Sequence, residues 1–360
     1  MKICLIGQNL TNLILATDLI QKKLKVDIYI DNNSKNTKTN RTIAISSNNF
    51  EYLNILVKKK IPSWPIQEIK IYLENSKSKE IINFTNNNKE SFNLLSYNKL
   101  FEIFSNKLKN SKYIQIIKSQ NSKLLTNNFL KKYDLVINSE NKNAISTKYF
   151  NNKIKKNYKS LAYTFMISHK KISNNIAKQI FTKHGPLAFL PFSNTQTSIV
   201  FSYSGHIKSR DEILKSFNKY NAFYDVKKIS GFEKFGLSFV MQRNYVHKNI
   251  LAFGDLIHRI HPLAGQGFNM TLRDIKNLSV IIDKKINLGL PIDISVANEF
   301  QQSTKHLNFL YGKAIDGIYE FFKFDNQLDY SISKPIFNIL NKNSTFKKFS
   351  NLFSEKGLSI

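Results

Sequence analysis

The chain has one cysteine, no long apolar run and few arginines, and each of these shortages excludes a class of protein. Cys4 is the single cysteine among 360 residues, so no internal disulfide and no cysteine-rich metal centre can form. We therefore expect a reducing, intracellular setting. No apolar run approaches the roughly 20 residues that a membrane-spanning helix needs, and the run from Ile3 to Ile6 is too short for a signal-peptide core. These features predict a protein that is soluble or attached only to a membrane surface.

Arginine is scarce although the chain is strongly basic. The formal net charge is +29, and only five of the 54 basic residues are arginine. Proteins that read bases depend on arginine, because its planar guanidinium makes bidentate hydrogen bonds. The lysines are interspersed with asparagine and isoleucine, as in residues 153–157, which favours solvated surface positions. Two less favoured alternatives are that the basic surface attracts anionic lipid or nucleic acid. Our expectation is that the protein has no nucleic-acid partner.

The apolar content and the pattern along the chain predict two packed domains. With 42% hydrophobic and 22% charged residues, a chain of this length can bury a sizeable core. Apolar residues at helical spacing predict a helix at 100–108, and apolar or alternating runs predict strands. The predicted strands cover residues 66–72, 81–84, 134–138, 161–167, 187–192 and 197–203.

The first 31 residues have the pattern of a strand, a helix and a second strand. This is the order of a dinucleotide-binding unit, in which the first turn faces a pyrophosphate and an acid such as Asp31 accepts hydrogen bonds from a ribose. Gly7 is the only glycine that remains of the G-x-G-x-x-G pattern, since Asn9 and Asn12 stand at the other two positions. Their side chains are expected to crowd the pyrophosphate. The segment alone is equally compatible with an ordinary α/β unit and a nucleotide site.

The chain from about residue 295 predicts a helical region rich in aromatic side chains. Tyr319, Phe321, Phe322 and Phe324 lie close together in it. Aromatic residues in such a region most often cover a core. The alternative is that they contact a membrane or a long apolar ligand.

The segment from residue 250 to residue 282 has the strongest chemical pattern. An apolar strand ends at Asp255, where a carboxylate can accept hydrogen bonds from ribityl or ribose hydroxyls. A loop through Pro262 and Gly265 then enters a helix, predicted from Met270, whose N-terminal N–H groups suit an anion. The segment predicts a binding site for a ligand that carries both hydroxyl groups and negative charge.

Two histidines in this loop raise the question of a metal. His258 and His261 are three residues apart in a loop that contains proline, and no third ligand accompanies them. This is poor metal geometry. We expect no metal site.

Residues 254–274 resemble the second FAD motif of the aromatic-ring flavoprotein hydroxylases that have the para-hydroxybenzoate hydroxylase fold. The sequence His-Pro-Leu-Ala-Gly-Gln-Gly at 261–267 is similar to that of the ubiquinone-biosynthesis hydroxylases of the UbiH/UbiF type. Residues 181–191 are similar to a substrate-domain strand of that subfamily, and residues 41–46 to its arginine-containing segment beside the cofactor. Residues 235–237 stand where the family usually has an aromatic residue, proline and leucine.

The chain departs from this family after the strand at 134–138. Glu140 and Asn141 stand where the family has an Asp-Gly pair. Glu140 keeps the charge on a longer side chain, and Asn141 adds bulk where the backbone nears the cofactor. One alternative is therefore a degenerate scaffold subunit, poor in FAD, that supports a related hydroxylase.

The resemblance implies an α/β fold with a Rossmann-like FAD-binding domain, an inserted strand-rich substrate domain and a C-terminal helical tail. We assign residues 1–65, 96–158 and 245–298 to the discontinuous FAD-binding domain. Residues 66–95 and 159–244 are assigned to the substrate domain, and residues 299–360 to the C-terminal helical region.

The resemblance also implies an FAD-dependent monooxygenase of ubiquinone biosynthesis. In this family reduced flavin reacts with O₂ to form a C4a-hydroperoxide, which hydroxylates the aromatic ring of a polyprenylated phenol; the electrons come from NAD(P)H or another donor. Ubiquinone-biosynthesis proteins are the implied partners. The implied location is the cytoplasm, with peripheral contact to the inner membrane as an alternative. A small-phenol hydroxylase or a flavoprotein oxidase is the alternative activity.

The site residues follow from the same resemblance. Pro262 is expected to line the reaction face, and His258 to assist deprotonation of the phenol, with a purely structural role as the alternative. The residues expected to bind FAD are Gly7, Asp31, Arg41, Glu140, Asp255, Pro262, Gly265, Gln266, Gly267 and Asn269.

Overall fold

Three sheets and seven helices make up the part of the chain that the computed structural model describes. That part comprises residues 2–31, 39, 41–74, 80–85, 91–119, 131–328, 330–332 and 335. The strands are β1 (Lys2–Ile6), β2 (Lys25–Asp31), β3 (Thr42–Ser46), β4 (Trp64–Ile66), β5 (Glu68–Leu73), β6 (Ile82–Thr85), β7 (Phe92–Ser96), β8 (Ile114–Ser119), β9 (Leu135–Asn138), β10 (Lys153–His169), β11 (Ile176–Thr182), β12 (Gly185–Ser193), β13 (Gln196–Ser204), β14 (Val226–Gln242), β15 (Val246–His247), β16 (Ile250–Ala252) and β17 (His258–Arg259). The helices are α1 (Leu10–Gln21), α2 (Ser47–Val57), α3 (Tyr97–Lys109), α4 (Ala144–Tyr149), α5 (Arg210–Tyr220), α6 (Gln266–Asn287) and α7 (Ile294–Gln327).

The N-terminal segment forms the predicted βαβ unit within a six-stranded sheet. The strand order is β15-β16-β9-β1-β2-β8, and β1 runs parallel to both β2 and β9. Leu5, Val136 and Leu251 are fully buried in these strands, as expected for a parallel sheet covered on both faces. The chain leaves β1 and β9 at the same edge, so the loops that begin at Gly7 and Ser139 meet. Ligands of open α/β sheets bind at such a point.

An eight-stranded sheet forms the second layer. Its strand order is β17-β14-β10-β13-β12-β11-β5-β6, and its pairs are antiparallel except for β11 with β5. One face packs on α5 through an aromatic core that includes Phe165, Phe189 and Phe217. The opposite face remains available to line a cavity.

A small sheet and a long helix connect the two larger sheets. The small sheet has the order β3-β7-β4, and Thr42 Oγ1 in β3 donates to Ser198 Oγ in β13 over 2.8 Å. Helix α7 packs on the six-stranded sheet through Phe300, whose ring lies 5.3 Å from that of Phe253. Further along α7, Phe322 stacks on Phe181 of the eight-stranded sheet. These contacts hold the two sheets at fixed positions.

The structure confirms the predicted α/β fold with a C-terminal helical region. The domain boundaries stay a prediction: the segment 66–95 supplies β5 and β6 to the eight-stranded sheet, but β7 to the small sheet. In the aromatic tail, Tyr319 and Phe322 are buried whereas Phe324 is exposed, so neither proposed role covers all four residues. Residues 336–360 lie outside the described residues. Among the described residues, no helix combines the length and the apolar character needed to cross a membrane.

Candidate active site

A cavity of about 580 Å³ lies between the loops of the six-stranded sheet and the free face of the eight-stranded sheet. Its walls have different chemistry. The polar wall includes Asn9, Arg41, Tyr97, Ser139, Glu140, Asn141, Asp255, His258 and Arg259. The apolar wall includes Ile66, Ile69, Phe92, Leu94, Ala177, Ala188, Leu190, Val200 and Leu237. An apolar cavity with a cluster of polar groups at one side is the usual form of a small-molecule site.

The N-terminus of α6 opens into this cavity. Gly265 precedes the helix with φ +68°, a conformation that favours glycine, and no side chain caps the helix. A Cβ on Gly265 would lie 3.0 Å from the Cβ of Ala44, so the glycine also permits close packing against β3. Gly267 lines the cavity within the first turn. The first N–H groups of a helix lack intrahelical partners and lie at the positive end of its dipole, so this turn suits an electron-rich edge or an anion.

Asn269 and Gln266 support this turn from behind. The Asn269 amide nitrogen donates to the Ala44 carbonyl over 2.9 Å, and its oxygen accepts from the Ser46 amide over 2.9 Å. The Gln266 side-chain oxygen accepts from the Tyr311 hydroxyl over 2.7 Å. Both side chains are buried, and neither residue lines the cavity. They tie the start of α6 to β3 and α7, which fixes the position of the turn.

Asp255 lies on the polar wall and is exposed to solvent there. It follows β16 in a short 3-10 turn that begins at Gly254, where φ is +58°. With its side-chain amide oriented to satisfy both neighbours, Asn141 donates to the Asp255 carbonyl over 3.2 Å and accepts from Arg259 over 3.1 Å. The backbone of Asp255 is therefore tied to the loop after β9.

His258 belongs to a buried hydrogen-bond network. Its Nε2 lies 2.8 Å from Oδ2 of Asp274, and both side chains are almost completely buried. The same carboxylate accepts from Asn308 over 3.1 Å and from Arg273 over 3.3 Å. Although His258 lines the cavity, as does Pro262, its bond to Asp274 favours the structural role that we kept as the alternative.

His261 has a different environment from His258. Its ring is stacked on Tyr319 with a centroid distance of 4.1 Å and meets Tyr158 edge to face. Neither ring nitrogen has a hydrogen-bond partner among the described residues. Burial lowers the pKa of His261 from 6.5 to about 3, because a charged imidazolium is poorly solvated there. His261 is therefore a neutral packing residue.

Gly7 and Glu140 come into direct contact at the first turn. Gly7 has φ +106°, and a Cβ at this position would lie 2.3 Å from Oε1 of Glu140. The Asn9 amide nitrogen donates to Ser139 Oγ over 2.7 Å and to Glu140 Oε1 over 3.3 Å. The side chain of Glu140 thus lies over the glycine that survives from the nucleotide fingerprint.

Asn12 does not crowd the cavity, so that expectation is wrong. Its side-chain nitrogen donates to the carbonyls of Ile6 and Gly7 over 2.8 and 2.7 Å. The residue is fully buried inside the β1–α1 turn. Its amide stabilises the turn because it donates to both carbonyls, and the Ile6 carbonyl also accepts from Ser139.

Arg41 and Asp31 are the remaining predicted residues, and Tyr97 is a cavity residue that the sequence did not suggest. Arg41 is exposed on the polar wall, and its carbonyl accepts from the Tyr97 amide over 3.0 Å. Asp31 is the last residue of β2, where its backbone pairs with Ser119 in β8; its side chain is not described. Tyr97 was missed because it precedes the helix predicted at 100–108 and belongs to no motif. Burial raises the pKa of Tyr97, and a hydrogen bond from the Leu10 amide opposes that rise.

Sequence comparison links the chain to ubiquinone hydroxylases over part of its length. No family model matches the chain. It is 27% identical over 183 residues to the ubiquinone biosynthesis monooxygenase COQ6 of Dictyostelium discoideum, which covers 40% of this chain and 37% of that protein. It is 24% identical over 179 residues to the ubiquinone hydroxylase UbiL of Rhodospirillum rubrum, which covers 47% of this chain and 41% of that protein. The matches thus span less than half of these curated relatives.

Comparison with solved structures covers the whole fold. The p-nitrophenol 4-monooxygenase PnpA of Pseudomonas putida aligns with a TM-score of 0.77 over 99% of this chain and 98% of that chain, at 11% identity. HpxO of Klebsiella pneumoniae, solved with FAD and uric acid, aligns with a TM-score of 0.71 over 99% and 96%, at 12% identity. The chain has the fold of the FAD-dependent monooxygenases. Its resemblance within that class to the UbiH/UbiF-type hydroxylases is confirmed.

Proposed function

We propose that this chain is an FAD-dependent monooxygenase that hydroxylates the aromatic ring of a polyprenylated phenol in ubiquinone biosynthesis. The observation that carries the proposal is the uncapped N-terminus of α6, which opens into a cavity beside Asp255 and opposite an apolar wall. The relatives named COQ6 and UbiL supply the class of substrate. When bound, FAD would supply the activation of O₂, with electrons from NAD(P)H or another donor.

The chain's own residues would hold the flavin end of the cofactor. Gly265 and Gly267 would face the polar edge of the ring, because both line the cavity at the start of α6, where N–H groups lack intrahelical partners. Asp255 would accept hydrogen bonds from the ribityl hydroxyls, and Arg41 would lie beside the diphosphate or the ring. Pro262 would line the reaction face. Gln266 and Asn269 would act through the position that they give to this turn.

The adenosine end fits less well. Gly7 and Asp31 remain its expected residues, whereas the side chain of Glu140, which was also expected to bind there, covers Gly7. A scaffold subunit that binds little FAD is the second candidate function, and this contact is the observation that favours it. Such a subunit would act with other ubiquinone-biosynthesis proteins.

The apolar wall would receive the phenol and its prenyl chain. Ala188, Leu190 and Val200 lie on adjacent strands of the eight-stranded sheet, opposite Leu94 of the small sheet. These side chains would keep water away from the reacting ring, which favours oxygen transfer to the substrate. His258 would position the polar wall through its bond to Asp274, and proton removal from the phenol is the additional role that we assign to it.

The substrate's bilayer location suggests peripheral contact of a cytoplasmic protein with the inner membrane. Leu310 and Phe324 of α7 are 55% and 56% exposed, and Leu328 shares their side of the helix. Lysines such as Lys313 flank them, and anionic lipid attracts such residues. We expect salt-sensitive cosedimentation with anionic vesicles that weakens in Leu310→Ser/Phe324→Ser. The matched control is Ile55→Ser, an exposed residue of α2; equal binding by all three proteins would contradict this contact.

The cofactor proposal is tested by a pair of glycine substitutions. A Cβ on Gly267 meets no protein atom closer than Ile260 Cγ1 at 3.8 Å, so the fold has room for a larger side chain. We expect Gly267→Val to fold but to lose FAD binding and hydroxylation, because the new side chain occupies the approach to the first turn. The control is Gly317→Val in α7, where a Cβ meets nothing within 4 Å. Full FAD binding by Gly267→Val, measured by flavin fluorescence, would refute this placement.

A further inference from the structure

Two helix N-termini open into the same cavity, and they differ in what covers them. At α6, no side chain caps the first turn. At α1, Asn9 Oδ1 accepts from the Asn12 amide over 3.1 Å. One first-turn amide of α1, that of Asn12, is therefore already used within the protein.

Glu140 adds a negative charge at this same end of α1. Its Oε1, Cγ and Cδ atoms would all lie within 2.7 Å of a Cβ on Gly7, so the side chain lies flat over the glycine backbone. Asn9 holds the carboxylate in that position. An anion is favoured at a helix N-terminus, and here the protein supplies that anion itself.

These contacts make the α1 end of the cavity less favourable than the α6 end for a flavin dinucleotide. A diphosphate at α1 would have to displace a like charge and to replace hydrogen bonds that the protein makes internally. The ring and the ribityl chain meet no such obstacle at α6, where Asp255 suits neutral hydroxyl groups. The affinity for FAD should therefore come almost entirely from its riboflavin part.

We propose that the cavity recognises the riboflavin part of FAD and that Glu140, held by Asn9, keeps the diphosphate away from the N-terminus of α1. This inference rests on the proposed function, because it assumes that the cavity binds a flavin. It assigns Glu140 the role of a specificity-determining residue that opposes dinucleotide binding. In the usual βαβ nucleotide site, the acid that supports the ligand through its ribose ends the second strand, where this chain has Asp31.

The test is an equilibrium titration of the full chain with riboflavin and with FAD, followed by flavin fluorescence. We expect the two dissociation constants of the wild-type protein to agree within about tenfold. Glu140→Gln removes the charge and Glu140→Ala removes both the charge and the bulk. At least one of them should bind FAD about tenfold or more tightly than the wild type, with riboflavin affinity unchanged. Glu51→Gln, an exposed residue of α2, makes the same change in net charge and should alter neither affinity.

The outcomes separate this inference from the proposed function. Wild-type affinity for FAD about a hundredfold or more above that for riboflavin would overturn the inference and leave the hydroxylase proposal standing. FAD affinity that stays unchanged in both Glu140 variants, with their fold confirmed by circular dichroism, would also overturn it. If the wild type and all variants bind neither flavin, the proposed function fails and the inference fails with it.

Discussion

Asp274 is the buried charge on which the polar wall of the cavity depends, and its removal should be costly. It is fully buried and lies within hydrogen-bond distance of His258, Arg273 and Asn308. Asp274→Asn keeps the shape of the side chain but removes the negative charge. Arg273, itself buried, would then lack the carboxylate that balances it.

The expected magnitude follows from this geometry. Removal of one partner from a buried ion pair costs about 3–5 kcal/mol, because the remaining charge stays desolvated. An unfolding entropy of about 2.1 cal/mol/K per residue converts this loss to roughly 4–7 °C in the apparent melting temperature of a chain of this size. The shift should appear in differential scanning calorimetry at pH 7.

Asp283→Asn is the matched control on the same helix. Its carboxylate pairs with Lys22 over 2.6 Å but is 49% exposed. Exposed ion pairs contribute about 0–1 kcal/mol, so the melting temperature should fall by less than about 2 °C. If Asp274→Asn and Asp283→Asn lower it equally, the buried network around His258 does not have the importance that we assign to it.

Two other predictions concern side chains near the candidate site. Phe322→Ser should lower the unfolding free energy by about 3–5 kcal/mol in urea unfolding, because Phe322 is buried against Phe181. Phe324→Ser, at an exposed position, should change it by no more than about 0.5 kcal/mol. Equal losses in the two variants would contradict the orientation of α7. His261 has a folded-state pKa of about 3, below its ordinary 6.5, so its contribution to stability is complete above pH 6.5 and is lost as the pH falls toward 3. Between pH 7 and pH 4.5, the unfolding free energy of the wild type should therefore fall by about 2–3 kcal/mol more than that of His261→Phe. An equal fall in both proteins would show that His261 is not held neutral.

Local patterns were sufficient to predict most of the regular structure. The apolar run at 161–167 lies within β10, and those at 187–192 and 197–203 lie within β12 and β13. The structure extends β10 back to Lys153, because alternate residues of this lysine-rich stretch face solvent while the backbone continues to pair with β14. The predicted strand at 66–72 is divided into β4 and β5, which join different sheets. Sequence patterns do not specify which sheet a short strand joins.

The site was predicted less completely, because its decisive contacts join distant parts of the chain. Helix α6 begins at Gln266, before the predicted Met270, since Gly265 in a left-handed conformation starts the helix and places Gly267 inside it. The resemblance drew attention to Glu140, yet only the folded structure brings its side chain over Gly7. In the same way, no local pattern indicates that Asn12 turns toward the carbonyls of its own turn.

Isotope labelling of the product tests the central claim most directly. The purified protein, reconstituted with FAD and supplied with a reductant and a prenylated phenol, would react under ¹⁸O₂, and mass spectrometry would locate the label. The account predicts a ring hydroxyl that carries one ¹⁸O atom from the gas, and no product from the Gly267→Val variant, which lacks bound flavin. A product without the label, or equal labelled product from that variant, would contradict a flavin-dependent hydroxylase that uses this cavity.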